Sequence, residues 1–325
     1  MPESEDNLPQ TSQHHDVRVD AHVDLPYFMA RHAPKSMLSQ IKDAPFTLSK
    51  AISAGIRLFV TAIYCEDRFN GPGSFQHFQE ILGTTLNTYD EVVVVKDRVA
   101  LEQGLETSEK VCTLFLLENA DALVGQTAYM ERLGDTGIRI VGLTHVGKNR
   151  LADGNLIRFS DGLTKTGATV VRQLLDLRVL LDTAHLHPAC FWQLMRTCES
   201  PIISSHTGIR EVCETPRNLS LEQVKEIDER GGVVGITFNP EMLTIATKAS
   251  LDDVFAHLDT LVQRFGPQVA GIGSDFCGFD GVTEGLEDIA KIDFLAHKME
   301  IHGYPKEAVA MIMGHNWLRV LQFAL

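Results

Sequence analysis

Short apolar runs alternate with segments of helical period along most of this chain, and no other feature limits its fold so strongly. A first strand at 16–19 leads into Asp20-Ala21-His22-Val23-Asp24. Further runs cover 57–64, 111–117, 138–143, 179–181, 201–205, 233–238 and 269–274. Helical patterns at 48–55, 74–89, 99–106, 126–133, 166–175, 188–197, 220–230 and 251–265 lie among them, and the chain from 287 onward reads as helical throughout. Residues 92–95 read as a short buried strand or the edge of a helix. The run at 111–117 is nearly continuous in apolar residues, as expected of a strand covered on both faces of a parallel sheet. Alternating βα units imply such a sheet, and eight strands suggest a closed (β/α)8 TIM barrel. An open doubly wound sheet is the alternative.

Composition narrows the class. The chain has 325 residues, of which 44% are hydrophobic, enough to fill one large core. Its net charge of −14 argues against nucleic acid or an anionic membrane as partner. No apolar stretch is long enough for a transmembrane helix. Residues 1–16 are polar and acidic, without the apolar centre of a secretory signal, and are expected to form a disordered tail. His14 and His15 belong to that tail and are not read as ligands. Six cysteines without C-x-x-C spacing point to a reducing cytoplasm. One domain spanning 17–325 is expected, with no internal repeat and no G-x-G-x-x-G phosphate loop.

The strand ends carry the chemistry. Residues two apart in a strand project to one side, so His22 and Asp24 place an imidazole beside a carboxylate. Pro26 then stops the strand. Glu118, His145, His185, His206 and Asp275 fall at or just past later strand ends. Each alone reads as a turn or capping residue. Six of eight strands ending this way is not explained by capping. In a barrel these ends share one face, where carboxylates and imidazoles crowded together are costly without a cation. The set suits a two-metal hydrolase, in which ions about 3.5–4 Å apart share a carboxylate and activate water. His22/Asp24 and His185/His206 are the two ligand groups, and Glu118 lies between them as the natural bridge. His145 and Asp275 remain for oxyanion stabilisation and proton transfer.

The order and neighbours of these residues resemble the membrane dipeptidase (renal dipeptidase) family of zinc peptidases, metal-dependent hydrolases on TIM barrels. The matching pieces are Asp20-Ala21-His22-Val23-Asp24-Leu25-Pro26, Gly142-Leu143-Thr144-His145, Leu181-Asp182-Thr183-Ala184-His185, Ser205-His206-Thr207, Arg217-Asn218 and Gly271-Ile272-Gly273-Ser274-Asp275-Phe276. Gly285-Leu286-Glu287-Asp288 and the stretch from Gly314 to Val320 are similar too. The resemblance implies that His22 and Asp24 bind one zinc, that His185 and His206 bind the other, and that Glu118 bridges. It implies that His145 stabilises the oxyanion, Asp275 moves the proton and Arg217 grips a substrate carboxylate; a surface arginine is the alternative for Arg217. Asn149 lines the substrate pocket or is an ordinary loop asparagine. Tyr27 flanks the pocket or packs in the core. A homodimer is implied as well.

Three positions depart from the family pattern. Asn119-Ala120 follow the bridging glutamate where small residues, often glycines, are usual. Cys277 stands where many members repeat an Asp, and Asn239 where some place a Tyr. The expected activity is that of a cytoplasmic zinc dipeptidase acting on dipeptides with a free C-terminal carboxylate. The alternatives are another barrel amide or cyclic-amide hydrolase, or an inactive metal-binding relative.

Overall fold

The computed structural model describes residues 17–106 and 110–325, so the expected tail at 1–16 lies outside the described residues. Among the described residues, eight parallel strands form the barrel: β1 (Arg18–Val23), β2 (Ile56–Tyr64), β3 (Val111–Glu118), β4 (Ile138–Gly142), β5 (Leu180–Asp182), β6 (Ile202–Thr207), β7 (Val233–Ile236) and β8 (Ala270–Ile272). Each pairs with the next in chain order. A parallel bridge from Val23 to Phe276 joins the last strand region to the first. There the Asp24 N–H donates to Phe276 O at 2.9 Å and the Asp275 N–H to His22 O at 3.0 Å. This closure, tighter than the open doubly wound alternative allows, makes the sheet a nearly closed barrel. Val92–Val94 is a short strand paired with the start of β3, which decides between the two readings of 92–95.

Strand parity sorts the core into two layers. Cys112, Leu114 and Leu116 of β3 face the barrel interior with Val19, Leu58, Val60, Ile140, Leu180, Ile203 and Val233. Phe115 and Leu117 face outward with Phe59, Ile63, Val141, Leu181 and Val234, and meet the surrounding helices. The interior is plugged by Trp317, fully buried on the closing helix Asn316–Leu321. Glycine makes room for it: a Cβ on Gly271 would stand 2.4 Å from the indole nitrogen. Gly273 is equally constrained, since its Cβ would lie 1.8 Å from Ser205 O. The glycines of Gly271-Ile272-Gly273 are thus packing devices that bring β8 close to its neighbours.

Two helical expectations and one strand-end reading are corrected. The segment at 126–133 holds only the short helix Thr127–Met130, followed by a 3-10 turn at Leu133–Thr136. The region from 287 is not helical throughout: Asp293–Ile301 ends before Gly303 at φ +85°, and Pro305 caps the next helix, Lys306–Ala310. β1 ends at Val23, three residues before Pro26, which stands instead in the first turn of the helix Leu25–His32, where a missing N–H is tolerated. No helix among the described residues is long and apolar enough to cross a membrane. Removing the plug should be costly: Trp317→Ala is expected to destabilise by about 3–5 kcal/mol, the usual range for deleting a buried aromatic. Denaturant unfolding measures it.

Candidate active site

Continuing the interior column Cys112-Leu114-Leu116 by two residues reaches Glu118, the last residue of β3. The same parity takes Leu58-Val60-Ala62 of β2 to Tyr64. In β1 the pairing register shifts between Asp20 and Val23, the kind of irregularity that re-aims side chains beside active sites. His22 and Asp24 there turn into the mouth, with His22 Nε2 at 3.2 Å from Asp24 Oδ2. The two oxygens of Glu118 diverge: Oε1 is 2.8 Å from His185 Nε2 and Oε2 is 3.8 Å from His22 Nε2. His206 stands between these two imidazoles. Its ring centroid is 3.8 Å from that of His22, and its Nε2 is 3.0 Å from His185 Nε2.

A hydroxyl sets the tautomers. Ser205 Oγ donates its one proton to Asp182 Oδ2 at 2.6 Å, since a carboxylate can only accept. Its lone pairs then accept from His206 Nδ1 at 2.9 Å and His22 Nδ1 at 3.1 Å. Both rings therefore direct Nε2 toward the cluster, the arrangement that outer partners impose on metal-ligating imidazoles. Asp182 is itself held by the Ser205 and Ala184 N–H groups at 2.8 and 3.0 Å. Asp20 braces the other side, accepting from the Ser274 N–H at 2.9 Å.

Electrostatics follow from burial and crowding. Burial, then Arg217 and the other imidazoles, hold His185 well below the ordinary histidine range; burial, then His22 and Arg217, do the same to His206. Both rings are thereby neutral, with lone pairs to offer. Burial also disfavours charge on His22, but Asp24 and then Glu118 and Asp275 outweigh it and raise its pKa to about 10. Burial and the Asp24 carboxylate push Asp275 well above the usual range. Glu118 stays below its usual value because His22, the neighbouring imidazoles and Arg217 overcome its burial. Ligand atoms of His22, Glu118 and His206 lie within 4.8 Å of one another, as do those of Glu118, His145 and His185, and of His22, Asp24 and Asp275. Imidazoles and carboxylates converging in this way fit divalent zinc-like ions.

These groups open into a cavity of about 430 Å³. His145, Arg217, Tyr27, Asn239 and Asp275 line it with the cluster. Arg217 Nη2 donates to His206 Nε2 at 2.8 Å and to His185 Nε2 at 3.1 Å, while its Nη1 is buried without a partner. Asn149 does not line the cavity. Its amide donates to Asn119 Oδ1 and Leu143 O, and its Oδ1 accepts from Leu151 and Ala152, so it braces the loop. Asn119 adopts φ +68°, which explains an asparagine where glycine is usual, since both tolerate the left-handed region. Asn239 Nδ2 donates to Asp275 Oδ2 at 3.1 Å. Cys277 is buried away from this cavity, its thiol pushed up by burial.

Sequence reasoning missed two neighbours. Asp67 Oδ2 lies 3.3 Å from His145 Nδ1 and accepts from the Gly147 N–H at 3.0 Å, which orients the imidazole. Gly278 lets Asp24 and Asp275 meet: a Cβ there would stand 2.3 Å from one carboxylate and 2.6 Å from the other. Neither sits in a local pattern; the only hint was their nearness in sequence to strand ends.

The barrel and its converging imidazoles and carboxylates define a metal-dependent hydrolase of the barrel class. The model of the family described as Membrane dipeptidase (Peptidase family M19) matches residues 10–324, and the chain belongs to that family. It is accordingly a metallopeptidase-family hydrolase acting on peptide bonds. Dipeptidase verJ of Clonostachys rogersoniana is 27% identical over 322 residues, covering 93% of this chain and 83% of that protein. Among solved structures, a metallo peptidase from Rhodobacter sphaeroides, liganded with a phosphinate mimic of the dipeptide L-Ala-D-Ala, is similar with a TM-score of 0.86 at 20% identity, covering 95% of this chain and 99% of that one. The M19 dipeptidase AC is similar with a TM-score of 0.85 at 21% identity, covering 94% and 98%.

The hydroxyl at Ser205 gives a test of the tautomer argument. Ser205→Ala removes the acceptor shared by two imidazoles, and should weaken metal retention by about 10–100-fold, the usual effect of losing an outer partner. Competition with a chelator of known affinity reads this directly.

Proposed function

We propose that this chain hydrolyses dipeptides bearing a free C-terminal carboxylate, using two zinc ions. His22 and Asp24 hold one ion, His185 and His206 hold the other, and Glu118 serves both. The observation that carries this reading is the divergence of the Glu118 oxygens toward His22 on one side and His185 on the other. When bound, such ions polarise the attacked carbonyl and lower the pKa of water.

The chain's own residues do the rest. His145, fixed by Asp67 and within 3.3 Å of the Tyr64 hydroxyl, faces the cavity to stabilise charge developing on the carbonyl oxygen. Asp275, kept readily protonated by burial and by Asp24, takes a proton at its carboxylate and returns it to the leaving amine. Asn239 fixes the angle of that carboxylate through its bond to Oδ2. Arg217 has a buried donor to spare at Nη1, and a guanidinium matches a carboxylate with two parallel hydrogen bonds. In a peptide, a carboxylate one residue beyond the scissile bond exists only at the C-terminus. An arginine at that distance therefore measures substrate length. Tyr27 completes the pocket wall.

Elemental analysis should find close to two zinc-type ions per chain, and Glu118→Gln should lose both together. A fully active, metal-free preparation would refute the reading. Asp275→Asn should retain metal and fold while kcat falls by about 10²–10⁴-fold, the usual contribution of a general acid–base. For Arg217→Ala, kcat/KM should fall by roughly 10- to 150-fold on a dipeptide, the equivalent of a charged hydrogen bond, and hardly at all on its C-terminal amide. Equal losses on both substrates would make Arg217 structural.

A further inference from the structure

The main cavity has a neighbour. Behind the rings of Tyr27 and Tyr64 lies a second cavity of about 260 Å³. Both rings line both cavities, so together they form a partition; they meet edge to face with centroids 5.5 Å apart. The walls are mainly apolar. Pro26, Met29 and Ala30 come from the helix Leu25–His32, and Ile81, Thr84 and Thr85 from the helix Ser74–Thr88. The hollow is a cleft open on its outer side, where Ala30, Pro34, Glu80 and Thr84 are exposed, and an apolar cleft of this size beside a reaction site is a feature to be explained.

Barrel geometry says which part of a substrate faces it. In a ring of eight strands, β2 stands opposite β6 and β1 opposite β5. Arg217 follows β6 and reaches His185, just past β5. Tyr64 is the last residue of β2, and Tyr27 follows β1. A dipeptide whose carboxylate is held at Arg217 thus points its N-terminal residue across the mouth, at the partition.

We propose that the second cavity receives the side chain of the substrate's N-terminal residue, and that the preferred substrates are dipeptides beginning with a bulky apolar residue such as phenylalanine or leucine. The inference rests on the dipeptidase reading, with Arg217 as the carboxylate grip, and adds a substrate class to it. Size permits it: an apolar cavity of about 150 Å³ holds benzene, so a phenyl or isobutyl group fits in this one. On this proposal the side chain enters by displacing the Tyr27 ring, whose hydroxyl accepts only from Arg31 Nη1 at 2.6 Å, an exposed residue of its own helix. Tyr64 is the fixed half, its ring 4.6 Å from that of His145 and its hydroxyl 3.3 Å from the imidazole Nδ1.

The test compares kcat/KM for Ala-Ala, Leu-Ala and Phe-Ala in the metal-loaded enzyme and in Thr84→Phe and Ala30→Phe, two substitutions that fill the second cavity. Both positions are exposed on their helices, where a larger side chain costs the fold little. Burying a leucine or phenylalanine side chain corresponds to about 10- to 100-fold in binding. The unaltered enzyme should favour Phe-Ala and Leu-Ala over Ala-Ala by about that factor, and each filling substitution should erase most of the preference while leaving Ala-Ala turnover within about twofold. Equal rates on the three substrates, or a preference that survives both substitutions, overturn the inference and leave the dipeptidase reading standing. No hydrolysis of any of the three overturns the inference and that reading together.

Discussion

Charge confined in the mouth of the barrel is the constraint on which the rest of this structure depends. Asp20, Asp24, Glu118, Asp182 and Asp275 are all buried there. Isolated buried carboxylates cost several kcal/mol each, so each needs a proton, a donor or a cation. The chain supplies all three. Backbone N–H groups and Ser205 serve Asp182, backbone N–H groups serve Asp20, a proton is favoured on Asp275, and His22 and Arg217 supply positive charge. The guanidinium of Arg217 donates to the same imidazole nitrogens that would ligate an ion. Divalent ions would satisfy those nitrogens as well, and would release the arginine for a substrate carboxylate. On the proposed roles, metal binding and substrate binding would be coupled through that one side chain.

The backbone carries a second cost at the same place. Asn119, His185, Asp275 and Cys277 have φ between +64° and +73°, and they follow β3, β5 and β8. Left-handed backbone in a non-glycine residue costs about 1–3 kcal/mol and persists only where surrounding structure over-determines it. Here the closed sheet supplies the rigidity. At His185 and Asp275 such a residue turns the chain off its strand, which lets a side chain three positions past the strand still face the cavity. His185 reaches the cluster in that way, although β5 ends at Asp182.

The same features decide what could be read from the residues alone. Apolar runs ending in His or a carboxylate are local patterns, so the eight strands, the barrel and the convergence of His22, Asp24, Glu118, His185 and His206 were legible. The run at 111–117, apolar on both faces, does not by itself say which side Glu118 takes. Asp67 and Gly278 were not legible, because each matters through a contact with a distant loop: Asp67 with His145, Gly278 with Asp24. Asn149 was misleading for the opposite reason. It lies close to the site in sequence, yet all its bonds turn inward to Asn119 and its own loop. Pro26 shows the limit of a breaker signal, since a residue read as ending a strand can equally begin a helix.

Parity and loops divide the labour. Positions on strands are fixed by a two-residue period and by the pairing of the neighbours, so a ligand set at strand ends survives extensive change elsewhere. The fold follows that of the Rhodobacter sphaeroides peptidase at a TM-score of 0.86 with only 20% of residues identical. The remaining walls of the cavity, among them Val146, Leu156, Thr215, Asn239 and Met242, come from the segments that follow the strands. Such segments change length and composition at little cost to the core. On the proposed roles, the reacting groups stand at or just past the strand ends, held by the closed sheet, while much of the wall that meets the substrate comes from the loops and helices laid over its rim. A substitution at the rim can redirect substrate choice while the charges that the sheet holds in place stay where they are.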